Sequence, residues 1–272
     1  MNDLIGKGFS QAMAYFYRLF ELRFFLFSLV RNDLNVRYRR SFLGIAWSLA
    51  RPIGMTTVLC IVFRTIFQLE LKDFAPFLFI GVAVWQFVVE SMLSGCQSFM
   101  VGASYIRQQP IPLALFPLRT VLVAGFHTGI ALMVGIAVTW YFLGLPSLLM
   151  LASLVPVLLV VFLIGLSFAI VCGAIHTHFP DTQHLLEIVM QAMFYLTPVM
   201  YRPDTFKSNG LLSTIMAYNP FSSILEMIRC PLLNGTFPAL KLWEVALTFL
   251  AVMGTLSWLI LRKFQRELVF WV

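Results

Sequence analysis

The sequence predicts an all-α, polytopic membrane protein with six transmembrane helices, preceded by an amphipathic interfacial helix and carrying short re-entrant helices between spans five and six. Composition is the first of three observations behind this prediction. Of 272 residues, 60% are hydrophobic and only 11% are charged, against about 45–50% and 25% in soluble domains. A soluble chain of this length would expose large apolar patches. A soluble enzyme, a disordered protein and a disulfide-rich module are therefore excluded.

The first 52 residues are the predicted interfacial segment. They mix aromatic side chains with eight Lys or Arg residues and only three acidic ones. Such a segment suits a helix in the headgroup region, with aromatic rings toward the acyl chains and arginines toward anionic lipid. The chain therefore divides into a cytoplasmic or interfacial segment, 1–52, and a transmembrane domain, 53–272.

Six long apolar stretches are the second observation. About 20 residues at 1.5 Å per residue cross the hydrocarbon core of about 30 Å. The fifth stretch is short and ends at Pro198, so we expect the following segment to complete its crossing. The predicted spans are 53–71, 76–100, 118–143, 147–173, 185–200 and 242–261.

Two connections are too long to be simple turns. Residues 101–117 contain three prolines, which break a continuous helix and predict a stiff elbow on the cytoplasmic side. Residues 201–238 form the predicted outer gate segment. There, Asn219 before Pro220 is a cap followed by a first-turn proline, which predicts short helices over 211–218 and 220–233.

The distribution of cations is the third observation, and it predicts that both termini are cytoplasmic. With this orientation the inner side holds thirteen Lys or Arg residues and the outer side five. Cytoplasmic loops carry the excess of these residues in membrane proteins.

The sequence carries no GxxxxGK[ST] motif, so no phosphate-cradling loop is predicted in this chain. A cluster of titratable residues at 176–184 is explained by a polar connector between spans, and a metal site is the alternative. We predict neither a metal nor a cofactor.

Arg64 and Glu90 lie within predicted spans, where each ion costs about 2.5–3.5 kcal/mol. Three roles are open for these two residues. They line a water-filled pathway, extend their charged ends to the membrane surface, or form a buried structural pair. A direct contact between them requires both long side chains to reach. Aromatic planes stack on the C–H faces of sugars, although belt residues lie at the same positions. The candidates for a glycan path are Tyr38, Trp47, Arg64, Trp85, Glu90, Tyr195 and Tyr201.

Residues 31–47 read RNDLNVRYRRSFLGIAW, with Pro52 beyond, and shorter segments read YIRQQP at 105–110, TPVMY at 197–201 and NP at 219–220, followed by Arg229. In this order they resemble segments of the type-2 ABC exporter permeases that move polysaccharides. The similar segments are the stretch before the first span, the cytoplasmic coupling element, the end of the fifth span and the outer re-entrant segment. Within that family the chain is most similar to the O-antigen, capsule and teichoic-acid branch.

This resemblance implies a homodimer of permeases paired with two copies of a separate nucleotide-binding ATPase subunit. It implies a polyprenyl-diphosphate-linked polysaccharide as cargo, in the inner membrane of a bacterium, among membrane lipids and with no nucleic acid. The chain would be a transport subunit and not itself an enzyme. The residues that match the family's ATPase-coupling element are Tyr105, Arg107, Gln108, Gln109 and Pro110.

A diphosphate needs cationic donors at the membrane face, and the candidates for lipid-diphosphate uptake are Arg37, Arg39 and Arg40. The same arginines would also enforce topology and bind anionic phospholipid. Leu43 and Gly44 beside them form a candidate hinge, because glycine relaxes backbone constraints.

We therefore expect the membrane half of an ATP-driven O-antigen exporter. One alternative is a membrane-embedded glycan-modifying enzyme, which needs a constellation of acid–base residues. The candidates for it are Glu90, His127 and the cluster His176, His178, Asp181 and His184. The other alternative is an ATP-independent flippase or channel, which would form no stable complex with an ATPase.

Overall fold

A computed structural model describes residues 13–15, 17–39, 41–42, 44–67, 70–108, 111–202, 216 and 218–264, and every regular element in these ranges is helical. The predicted all-α class is thus confirmed. The helices are α1 Arg23–Tyr38, α2 Trp47–Phe67, α3 Leu71–Val101, α4 Ala103–Gln108, α5 Leu115–Leu143, α6 Leu148–His178, α7 Thr182–Leu196, α8 Pro220–Arg229 and α9 Leu240–Phe264. A short 3₁₀ turn, Gly44–Ala46, precedes α2, and a π-helical turn, Cys230–Asn234, follows α8.

Within these ranges, five helical stretches are long and apolar enough to cross a membrane, and they correspond to α2, α3, α5, α6 and α9. The predicted fifth span corresponds to α7. This helix has 15 residues and is therefore about 22 Å long, shorter than the hydrocarbon core. The chain leaves the helix at Thr197, directly before Pro198. A sixth crossing remains a prediction.

The elbow differs in one respect from the prediction. The helix α5 begins at Leu115, so Pro117 lies in its first turn and does not break it. A proline is tolerated there because the first N–H groups of a helix have no intrahelical acceptor. The elbow itself contains the short helix α4, while its residues Gln109 and Pro110 lie outside the described residues.

The helix α3 is the centre of the bundle and packs against α2, α5 and α6. Its contact with α6 is close because small residues face each other. A Cβ atom on Gly95 would lie 2.5 Å from the Cα atom of Ala169, and one on Gly173 would lie 2.7 Å from the carbonyl oxygen of Gly95. Such small residues let two membrane helices approach to backbone contact.

The helix α1 packs against α5. Its buried side chains, Leu26 and Leu29, join a cluster with Phe99, Ile106 and Leu115. The opposite face carries exposed aromatic rings, and the guanidinium of Arg23 lies 4.5 Å from the ring centroids of both Phe20 and Phe24. The exposed rings are Phe20, Phe24 and Phe27.

The return segment after α7 is held at the N-terminal end of α3. Asn219 accepts a hydrogen bond from the backbone N–H of Phe221 at 3.0 Å, and Pro220 is the first residue of α8. The predicted cap and first-turn proline are confirmed. The Asn219 side chain also donates to the hydroxyl of Thr197 at 3.0 Å. The other predicted helix, 211–218, lies almost entirely outside the described residues.

Candidate functional site

A cleft of about 820 Å³ opens between α1, α2, α3, α5 and α7. We call it the polar cleft, because carboxylates, guanidinium groups and amides line it together with aromatic rings. Its lining is Arg37, Tyr38, Trp47, Ser48, Arg51, Met55, Val82, Trp85, Gln86, Val89, Glu90, Leu93, Ser94, His127, Glu187, Met190, Gln191 and Phe194.

Two helix faces form the facing walls of the polar cleft. On α3 the polar residues Gln86, Glu90 and Ser94 follow each other at intervals of four, which places them on one face. On α7 the same spacing separates Glu187 from Gln191. Hydrogen-bonding side chains are thus presented along apolar helices, which is costly in a membrane unless water, protein or a ligand satisfies them.

An ion pair lies in the cleft between α1 and α3. Arg37 donates from Nη1 to Oε1 of Glu90 at 2.7 Å, and the side chains are 52% and 17% exposed. The sequence left open a contact between Glu90 and Arg64. In the structure Glu90 pairs with Arg37, because α1 brings its C-terminal end against the middle of α3. Arg64 is exposed on α2 and does not line the cleft.

Two further contacts dock the same end of α1. The hydroxyl of Tyr38 lies 2.9 Å from Nδ1 of His127, and Arg119 donates two hydrogen bonds to the carboxylate of Asp33. Burial raises the pKa of the Tyr38 phenol, so this hydroxyl stays protonated at neutral pH. Asp33 and Arg37 share one face of α1, and together with Tyr38 they fix this helix to α3 and α5.

Five of the predicted site residues line the cleft, namely Arg37, Tyr38, Trp47, Trp85 and Glu90. The other three candidates for the glycan path lie elsewhere. Besides Arg64, Tyr195 and Tyr201 do not line the cleft, and the Tyr201 hydroxyl donates to the backbone carbonyl of Tyr195 at 2.9 Å.

The predicted arginine cluster is only partly within the cleft. Arg39 is exposed just after α1 and does not line the cleft, whereas Arg40 and Leu43 lie outside the described residues. Gly44 has a φ of +51°, a left-handed conformation that glycine adopts without strain. Its backbone N–H donates to the Ser41 hydroxyl at 3.2 Å. The connector between α1 and α2 is thus a turn that depends on glycine.

Sequence reasoning missed several residues of the cleft. The spacing of Gln86, Glu90 and Ser94 was a signal for one polar helix face, and so was that of Glu187 and Gln191. Arg51 gave no such signal, because its place in the cleft depends on how α2 packs.

The elbow helix α4 exposes a polar surface. Ile106 is buried at 7% exposure among α1 residues, whereas Tyr105, Arg107 and Gln108 are exposed. The rings of Tyr105 and Phe25 meet edge to face, with centroids 5.5 Å apart. The exposed elbow is therefore in direct contact with α1, which carries Arg37 of the cleft.

Comparison with known proteins identifies the family. A family model described as ABC-2 type transporter matches residues 25–233. The chain is 29% identical over 220 residues to an O-antigen export system permease protein RfbA from Klebsiella pneumoniae, covering 80% of this chain and 82% of the relative. A protein of the same name from Myxococcus xanthus is 25% identical over 252 residues, covering 88% and 91%. The resemblance inferred from four sequence segments is confirmed, and the chain belongs to the ABC-2 type transporter family.

Proposed function

We propose that this chain is the permease subunit of an exporter that moves a polyprenyl-diphosphate-linked O-antigen polysaccharide across the bacterial inner membrane. ATP hydrolysis in two copies of a separate nucleotide-binding subunit drives the movement. The names of the relatives from Klebsiella and Myxococcus support the cargo. The observation that carries the proposal is the polar cleft, whose lining combines guanidinium groups with hydrogen-bonding and aromatic side chains within a membrane bundle.

The lipid diphosphate would bind at the end of the cleft formed by α1 and α2. Arg37 and Arg51 line the cleft there, and guanidinium groups bind phosphate oxygens through charge-assisted, bidentate hydrogen bonds. Arg39 and Arg40 in the adjoining connector would attract the headgroup toward the cleft. The Leu43–Gly44 hinge would let α2 move relative to α1.

The sugars would follow along the facing walls of α3 and α7. Trp47 offers an exposed plane for stacking, whereas Trp85 lines the cleft with only 6% of its surface exposed. The amides of Gln86 and Gln191 offer both donors and acceptors to hydroxyl groups. Arg64, Tyr195 and Tyr201 would belong to a later part of the path, beyond the cleft.

A second copy of the chain would complete the path. Only 17% of the most apolar stretch of α2, and likewise of α9, is buried within one protomer. We infer a homodimer in which each protomer contributes six crossings, the fifth being α7 with the segment after it. Both termini would be cytoplasmic, and α1 would lie in the membrane interface with Phe20, Phe24 and Phe27 toward the acyl chains.

The ATPase would act on the elbow. The exposed residues Tyr105, Arg107 and Gln108, together with Gln109 and Pro110, would dock onto the nucleotide-binding subunit. Since Tyr105 contacts Phe25 of α1, a push on α4 would shift α1 and the ion pair that it forms with Glu90.

The test is reconstitution of the permease with its ATPase in proteoliposomes loaded with lipid-linked glycan. We expect ATP turnover that rises with the glycan, and glycan movement that needs the ATPase. Glycan movement without any ATPase would contradict the scheme and favour a flippase or channel. Chemical alteration of the glycan by the permease alone would favour an enzyme, provided that this alteration is lost in the His127→Ala variant.

A further inference from the structure

The Arg37–Glu90 ion pair engages a guanidinium that the proposed function assigns to the diphosphate. The pair uses one hydrogen bond, at 2.7 Å between Nη1 and Oε1, so other N–H groups of Arg37 are left for a phosphate. A diphosphate bound there brings its negative charges against the Glu90 carboxylate, and this repulsion displaces the carboxylate from Arg37. We propose that Glu90 is a built-in counter-ion that makes the polar cleft select lipid diphosphates carrying a sugar over bare ones. This inference rests on the proposed function.

Displacement leaves Glu90 in a poor position for an ion. Its side chain is only 17% exposed. Phe87 and Val88, which precede Glu90 on α3, are each buried at 4% exposure. An ion that loses its partner in such surroundings is destabilised by incomplete hydration. Arg51 is the other guanidinium of the cleft, and a diphosphate carries enough charge to engage both arginines.

A sugar supplies what the displaced carboxylate lacks. Each hydroxyl donates one hydrogen bond, and a carboxylate accepts several. The first sugar is covalently joined to the diphosphate, so its hydroxyls reach the cleft wall when the phosphates bind Arg37. Gln86 is one helical turn from Glu90 on the same face of α3, where its amide offers donors and an acceptor to the same sugar.

Discrimination then comes from the penalty on the wrong ligand. A bare polyprenyl diphosphate breaks the ion pair and leaves Glu90 without hydrogen-bond donors, whereas the glycosylated form breaks the same pair and satisfies both ions. Specificity of this kind uses a cost imposed on the competitor in addition to contacts with the preferred ligand.

The experiment compares two ligands with the full chain in phosphatidylcholine nanodiscs. The probes are bare polyprenyl diphosphate and polyprenyl diphosphate carrying one glucose residue, at pH 8, above the second phosphate pKa of about 6. The measured quantity is the ratio of their two dissociation constants, which we expect to favour the glucosylated probe in the wild type. A wild-type chain that binds neither probe would contradict the proposed function itself.

The diagnostic variant is Glu90→Gln. Because Arg37 is half exposed, we assign the pair about 1 kcal/mol, which corresponds to about fivefold tighter binding of the bare probe. Binding of the glucosylated probe should change little, so the ratio falls about fivefold. In Arg37→Gln both probes should bind more weakly while the ratio is retained, since Glu90 still needs the sugar.

Glu70→Gln is the matched control. It also removes a carboxylate from an ion pair, with Lys72 at 3.0 Å, but Glu70 does not line the cleft, and we expect both affinities to stay at the wild-type values. An unchanged ratio in Glu90→Gln, or an equal loss of both affinities, would overturn the inference. If Glu90→Gln does not fold, loss of the preference in Arg37→Gln would overturn it instead.

Discussion

Arg229 shows how a single residue holds the end of the bundle that is remote from α1. Its side chain is 1% exposed and donates to the backbone carbonyls of Pro198 at 2.7 Å, Val199 at 2.9 Å and Phe77 at 3.2 Å. Its guanidinium also lies 3.6 Å from the centroid of the Phe77 ring. The break after α7 leaves carbonyl groups without helical partners, and Arg229 supplies the donors that water cannot supply there.

We therefore expect the Arg229→Met variant to be strongly destabilised. The substitution removes the donors to the carbonyl groups of Pro198 and Val199, at about 1–3 kcal/mol for each group left unsatisfied. A loss of about 3 kcal/mol would lower the apparent melting temperature of the detergent-purified protein by about 6–12 °C. Arg202→Met is the control, because Arg202 is exposed and lies 5.8 Å from the same ring. Equal melting temperatures for the two variants would refute this role of Arg229.

The same residues show what local sequence can predict. Asn219 and Pro220 marked the start of α8, because a capping side chain and a first-turn proline act within one turn of the backbone. In the sequence, Arg229 counts as one of the five cations of the outer side. Its burial could not be predicted, because it depends on the break after α7, some thirty positions away. The partner of Glu90 was missed for the same reason, as Arg37 is 53 positions distant.

Among the elements, the contact between α3 and α6 is the one that most restricts side-chain size. The small residues Gly165, Ala169 and Gly173 recur at intervals of four on α6 and face α3. Apolarity and length were enough to predict both helices, because spanning segments are defined by composition. Their partnership was not predicted, since a glycine at a helix contact and one facing lipid look alike in sequence.

We expect Gly95→Ala to weaken this contact. The new methyl group would lie 2.5 Å from a backbone atom of Ala169, so one helix must move, and overpacking of this kind costs about 1–3 kcal/mol. The measurement is thermal unfolding of the purified protein in detergent. Gly129→Ala is the matched control, because a Cβ atom there meets nothing within 4 Å among the described residues. The close-contact explanation fails if Gly129→Ala lowers the melting temperature as much as Gly95→Ala.

At the scale of the whole molecule, the exposed elbow and the polar cleft are linked by α1. The elbow touches α1 through Tyr105 and Phe25, and the far end of α1 holds Glu90 through Arg37. Helix α1 is 16 residues long, or about 24 Å. Since both of its ends contact other helices, we expect a displacement of α4 to reach the cleft through α1 and not through the packed centre of α3. This arrangement suits a permease whose energy comes from a partner subunit.

The arrangement also predicts which face of the molecule meets a second copy. The polar cleft is bordered by α2, so a path with walls from two protomers closes only if the partner covers this side. In a chain stripped of its native cysteines, we expect Ile61→Cys on α2 to form a disulfide-linked dimer when membranes are oxidised. Val155→Cys on α6 should remain monomeric, although these side chains are similarly exposed, at 63% and 68%. Dimers formed only by Val155→Cys would place the partner on the opposite face, and the cleft would then be a surface of one protomer alone.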